Sequence, residues 1–172
     1  LYAMLVAVGN HRQAALMAPT EILAEQHFLS ISRMLQGSRV RLGLLTSSSR
    51  GRSRTLQELK KGGVDIVVGT HALLAQAVAF PKLVLVVIDE QHRFGVAQRA
   101  LMVEKASVPH LLVMTATPIP RSLALALFGD TDVSVIDEMP PGRKPVVTEV
   151  FFPEEHARAY SIIRRHAHEG QQ

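Results

Sequence analysis

The stretch Leu83-Val84-Leu85-Val86-Val87-Ile88-Asp89-Glu90-Gln91-His92 is an apolar run of strand length that ends abruptly in two acids, an amide and an imidazole. A β-branched run with no polar interruption reads as a strand buried on both faces, the signature of a parallel sheet. Ligands of such sheets sit outside the carboxyl ends of the strands. An Asp at that end can hold Mg²⁺ through oxygen, and a Glu beside it can orient or deprotonate a water next to a metal-bound phosphate. The same dipeptide can also open a loop or cap a helix, so the rest of the chain has to decide between the two readings.

Working outward, further runs of strand length fall at 13–18, 40–45, 65–69, 110–115 and 132–136, with the opening run as a strand over 83–89. They alternate with amphipathic segments, the pattern of an α/β sheet built from crossover units. The segment 22–36 sets Ala24, Phe28, Ile31 and Leu35 on one helical stripe, with Thr20 as its N-cap. Helices are also predicted over 52–61, 96–105 and 121–128, the last behind Pro120, where a first-turn proline is tolerated. Residues 1–8 read as a helix with no strand before it. The run Met139-Pro140-Pro141-Gly142-Arg143-Lys144-Pro145 has the composition of a linker. The expected organisation is therefore a domain over 1–139, a linker over 140–145, and from 146 to 172 the start of a second unit. That second unit would have an extended 146–152 and a helix over about 154–169.

At 172 residues, 47% hydrophobic and 20% charged, the chain fits a folded domain of ordinary size. No apolar run reaches the roughly 20 residues needed to cross a bilayer, and the N-terminal run lacks the pattern of a signal peptide. With no cysteine there are no disulfides and no thiolate metal sites, and a cytoplasmic location is expected. The net charge of +4 and pI of about 9.9 matter only if the excess is clustered. Part of it is: Arg39, Arg41, Arg50, Arg52, Arg54, Lys60 and Lys61 face one acid, Glu58, over a short span that is either a solvated helix face or a polyanion contact. Aromatics are scarce and Trp is absent, which favours contacts to phosphates over base stacking.

Four predicted strands carry unusual polar clusters at their carboxyl ends, which places the clusters on one sheet edge. They are Ala18-Pro19-Thr20-Glu21, Gly69-Thr70-His71-Ala72-Leu73-Leu74, Asp89-Glu90-Gln91-His92-Arg93-Phe94-Gly95-Val96 and Thr115-Ala116-Thr117-Pro118-Ile119-Pro120-Arg121. The set resembles the first motor domain of superfamily 2 nucleic-acid helicases, most nearly the RecG branch. Asp89-Glu90-Gln91-His92 resembles the Walker B box, Thr115-Ala116-Thr117 motif III, Pro19-Thr20 motif Ia and Gly69-Thr70-His71 motif Ib. The flanks Glu21-Ile22-Leu23-Ala24-Glu25-Gln26-His27, Arg93-Phe94-Gly95-Val96 and Pro140-Pro141-Gly142-Arg143-Lys144-Pro145 are RecG-like as well.

The resemblance implies a RecA-like α/β fold with helices on both faces of a parallel sheet, and an ATP-dependent DNA helicase that remodels replication forks and recombination junctions. It implies ATP and Mg²⁺ as cofactors, with Asp89 on the metal, Glu90 activating water, and Gln91 and His92 sensing the γ-phosphate. Thr115, Ala116 and Thr117 would couple nucleotide state to DNA grip. Pro19, Thr20, Gly69, Thr70 and His71 would contact the DNA backbone without reading sequence, helped by Arg50, Arg52 and Arg54. Implied partners are branched or duplex DNA, with a single-strand-binding protein or other fork components as candidates. A bacterial, nucleoid-associated location follows, without a membrane; the oligomeric state stays open.

The chain also departs from that family. No Gly-x-x-x-x-Gly-Lys-Ser/Thr phosphate loop occurs in it, and no first strand precedes residue 1, so the segment alone is expected to lack ATPase activity. The family's Thr-Gly-Ser appears as Thr46-Ser47-Ser48, losing a glycine that would allow close approach of DNA. His166 and His168 have no third ligand nearby in sequence and read as solvated helix surface. Two rival readings are the motor domain of a transcription-repair coupling translocase, opposed by Gln91 and the proline-rich linker, and a DNA-binding segment without ATP turnover, opposed by the paired acids.

Overall fold

A computed structural model describes residues 1–49, 51–90, 105, 109–116, 132–143 and 146–170. Arg50, Gln91, His92 and Thr117, the predicted helix over 121–128 and all of that over 96–105 except Lys105 lie outside the described residues. By its own contacts the chain divides into two compact units, Leu1–Pro120 and Arg121–Gln172.

The first unit is built on a five-stranded parallel sheet: β1 (Gln13–Met17), β2 (Leu42–Leu45), β3 (Ile66–Gly69), β4 (Leu83–Ile88) and β5 (His110–Val113), in the spatial order β2-β3-β1-β4-β5. Among the described residues, the helices α1 (Tyr2–Gly9), α2 (Glu21–Met34) and α3 (Arg52–Lys60) flank it, with a 3₁₀ turn at His71–Leu74. Strands β1, β3 and most of β4 are buried on both faces, as the unbroken apolar run over 83–88 requires.

Alternation along the strands splits the core into two layers. Ala14, Leu16, Ile66, Val68, Leu85 and Val87 pack with Met4 and Ala7 of α1 and Ala24 and Ile31 of α2. Ala15, Met17, Val67, Val86 and Ile88 pack on the other face with Leu45, Leu59 of α3 and Leu73. Each fully buried Leu, Ile or Met contributes about 1.5–3 kcal/mol. The register slips between Gln13 and Ala14, which pair with Leu83 and Leu85. That bulge lets Val84 and Leu85 face the same layer while Leu83 faces the other.

Gln13 is the buried polar residue that fixes the amino end of the sheet. At 3% exposure its side chain donates to the Val64 carbonyl at 2.8 Å and accepts from the Lys82 N–H at 3.1 Å. Arg41 closes the same end, pairing its guanidinium with Asp65 and reaching the Gly62 carbonyl at 3.0 Å. Lys105 donates to the carbonyls of Ala75 at 2.8 Å and Val78 at 2.9 Å, and its partial burial pushes its ammonium pKa down.

In the second unit a 3₁₀ turn, Pro153–Glu155, leads into α4 (His156–His168), close to the predicted helix. None of its residues is buried; Arg158 pairs with Glu149 and Glu155 at 3.6 and 3.7 Å and lies over the Phe151 ring at 5.5 Å. Residues 132–136 are not a strand. They are irregular and exposed, Ile136 to 94%, because β-branched residues make a strand only where a neighbour supplies the ladder. Residues 146–152 form no strand either.

Candidate functional site

The carboxyl edge of the sheet gathers the tips of all five strands. In spatial order they are Thr46–Ser49 after β2, Gly69–His71 after β3, Ala18–Glu21 after β1, Asp89 and Glu90 after β4, and Thr115 and Ala116 after β5. Backbone bonds lock neighbours together past the strand ends: Ala18 N–H donates to Gly69 O at 2.9 Å, Asp89 N–H to Met17 O at 2.9 Å and Met114 N–H to Ile88 O at 2.8 Å. The described strand-tip residues Pro19, Thr20, Gly69, Thr70, His71, Asp89, Glu90, Thr115 and Ala116 therefore stand along one edge, whereas Arg52 and Arg54 lie on α3.

The β1 tip turns into α2 because Thr20 adopts extended backbone and its Oγ1 accepts the Leu23 N–H at 3.3 Å. Glu21 opens the helix, where a carboxylate complements the dipole. It also reaches across to the β2 tip: the N–H groups of Ser47 and Ser48 donate to Oε1 at 2.8 and 3.2 Å, and the Ser48 hydroxyl donates to Oε2 at 2.5 Å. Those bonds, the hydroxyl first, hold the Glu21 carboxyl below the ordinary range despite some desolvation. Successive N–H groups of this kind form an anion-binding concavity. Ser47 and Ser48 are exposed, whereas Thr46 is buried and its carbonyl is braced by Arg52 at 3.3 Å. Arg54 is exposed on α3.

At the β3 tip, Gly69 and Thr70 are packed into the fold. Both residues are buried, and His71 is the exposed member of the triplet. The Thr70 N–H donates to Leu45 O at 3.3 Å, and its Oγ1 accepts the Ala72 N–H at 3.4 Å to start the 3₁₀ turn. A Cβ at Gly69 would run into the Leu45 carbonyl and stand 2.9 Å from Leu73 Cγ. Glycine is there for packing between β2 and β3.

At the β4 tip, Glu90 takes a left-handed backbone (φ 51°), a conformation that costs a non-glycine residue about 1–3 kcal/mol and tends to occur at functional sites. Its N–H donates to Asp89 Oδ1 at 3.0 Å. His27 of α2 places its Nε2 2.7 Å from Asp89 Oδ2. His27 has no role among the sequence motifs, yet its position carries a signal: it shares a helix face with Ala24 and Ile31, both buried, and a ring on that stripe needs a polar partner. Thr115 and Ala116 are exposed beside this pair of acids. Among the described residues no three His, Cys, Asp or Glu side chains come together as a metal cluster, His166 and His168 included.

Residues 1–126 match the family model described as DEAD/DEAH box helicase. The chain belongs to the DEAD/DEAH box helicase family. Among curated relatives, this helicase segment is 49% identical over its whole length to the ATP-dependent DNA helicase RecG of Synechocystis, covering 21% of it. It is 50% identical over 94% of its length to that of Haemophilus influenzae, covering 24%. A solved structure of RecG bound to a three-way DNA junction superposes with a TM-score of 0.79 at 40% identity, over 98% of this chain and 23% of that one. The helicase segment thus spans about a fifth to a quarter of the length of these relatives. Its sheet is the RecA-like α/β fold of the family, of the RecG type. No described helix is long and apolar enough to cross a membrane.

Proposed function

We propose that this chain is the first motor domain, with the opening of the second, of a RecG-type helicase that couples Mg-ATP hydrolysis to movement on duplex DNA and so remodels forks and recombination junctions. The observation that carries the reading is the single sheet edge on which Asp89 and Glu90 stand beside the three tips that face a backbone-binding role. Similarity to a RecG whose structure holds a three-way junction supports branched DNA as the substrate class. The motor domain would run over 1–139, the linker over 140–145 and the second motor domain from 146.

Each Asp89 oxygen accepts one hydrogen bond, leaving lone pairs for a cation. Among the described residues Asp89 stands in no cluster of three or more His, Cys, Asp or Glu side chains, and Mg²⁺ is bound through one or two carboxylates, waters and substrate phosphates. Bound there, the ion would neutralise charge on the phosphates. Glu90 takes the proton of the attacking water at its carboxylate, and Gln91 and His92 read the γ-phosphate. Thr115, Ala116 and Thr117 pass that state to the DNA side. On that side Pro19, Thr20 and His71 meet the backbone, with Gly69 and Thr70 shaping the tip and Arg50, Arg52 and Arg54 adding charge. Fork-associated proteins are the proposed partners and the bacterial nucleoid the proposed location.

Glu90→Gln in the full-length protein tests this. DNA-stimulated ATP hydrolysis should fall by about 10²–10⁴-fold while DNA binding is kept. Unchanged hydrolysis would remove Glu90 from the reaction, and the motor reading with it.

A further inference from the structure

Asp89 is held by two donors on two different oxygens. The Glu90 N–H takes Oδ1, and the His27 ring takes Oδ2 from 62 residues away in the chain. An ionised carboxylate only accepts, so the imidazole is the donor and carries its proton on Nε2. Both side chains are mostly shielded, at 31% and 20% exposure. A carboxylate held through one oxygen can still rotate about its terminal torsion, which has a broad energy well. A second donor on the other oxygen fixes the plane.

We infer that His27 is a positioning residue for Asp89: its Nε2–H, brought in by the second turn of α2, fixes the carboxylate in the orientation that leaves its free lone pairs for the divalent cation. This rests on the reading of Asp89 as the cation-holding residue. The contact belongs to none of the strand-tip motifs, and α2 is the helix whose first residues, behind Thr20, form the β1 tip. Partners that orient a metal-ligating side chain typically change metal affinity by about 10–100-fold when removed.

The test uses full-length protein and Mn²⁺ as the probe, titrated by electron paramagnetic resonance in the presence of a non-hydrolysable ATP analogue, with metal-free thermal melting in parallel. His27→Ala and His27→Leu, which both lack the donor, should weaken Mn²⁺ binding by about 10–100-fold. His27→Gln, whose amide N–H can reach the same oxygen, should recover most of it at an unchanged melting temperature. Wild-type Mn²⁺ affinity in His27→Ala or His27→Leu, with affinity lost in Asp89→Asn, would overturn the inference and leave the role of Asp89 standing. Wild-type affinity in Asp89→Asn itself would overturn both.

Discussion

Gly69→Ala separates a packing role from a DNA-contact role at the β3 tip. The added Cβ would meet the Leu45 carbonyl, which accepts the Thr70 N–H, and would lie 2.9 Å from Leu73 Cγ and 3.2 Å from the Leu45 carbonyl carbon. Leu73 is fully buried and cannot swing into solvent. Relief therefore has to come from the backbone, by spreading β2 from β3. Overpacking of this kind costs about 1–3 kcal/mol, and weakening the Thr70–Leu45 bond adds about 1 kcal/mol. The expected total is about 2–4 kcal/mol, concentrated at one end of the sheet. Amide hydrogen exchange resolved by residue is the assay. Ala18 and Thr70, whose N–H groups bond to Gly69 and Leu45 at 2.9 and 3.3 Å, should exchange faster, while the amides of β4 change less. DNA affinity should fall as a consequence of the displaced tip. Wild-type protection at Ala18 and Thr70 together with lost DNA binding would refute the reasoning and return Gly69 to the role of a direct contact.

Gln13→Leu keeps the volume of the side chain but strands the buried Val64 carbonyl and removes the acceptor of the Lys82 N–H, and chemical denaturation should show a loss of about 1–3 kcal/mol. The Arg41 guanidinium holds the Asp65 carboxyl below the usual carboxylate range. That stabilisation is complete above the unfolded carboxylate value near pH 4 and is lost as pH falls through the lower folded value. Asp65→Asn should therefore flatten the acid limb of a stability-versus-pH curve, and an identical limb in both proteins would count against the ion pair. Glu21→Ala removes the acceptor for Ser47 and Ser48, and exchange of those two amides should quicken by about 10-fold or more, while α2 loses only the dipole contribution of about 0.3–1 kcal/mol.

The strands were legible where burial on both faces leaves an unbroken apolar run, as over 83–88, and where a cap announces a helix, as Thr20 does for α2. The single edge was legible too, because every cluster follows the carboxyl end of a parallel strand. What was not legible is of a different kind. Residues 132–136 carry a strand-like pattern, but pattern does not supply a neighbour. The packing of Gly69 and Thr70 against Leu45, Leu73 and Ala72 has no local sequence signal. His27 and Gln13 reach partners 62 and 51 residues away, and no local window contains both ends of such a bond. A polar residue on a buried stripe states only that a partner must exist.

The strand order turns these contacts into a mechanical layout. The tips proposed to face the DNA backbone belong to β2, β3 and β1, which are neighbours, while those proposed for hydrolysis and for its coupling to DNA belong to β4 and β5. The seam between the two groups is β1 and the helix that leaves it. From that helix Glu21 bonds to the β2 tip and His27 bonds to the β4 tip. The two residues are separated by about 9 Å of helix axis at 1.5 Å per residue. If the β1–β2 tips shift on engaging a phosphate backbone, as proposed, α2 would carry that shift to the donor of Asp89 unless the helix bends. Ala24 and Ile31, packed into the sheet on either side of His27, oppose that bend.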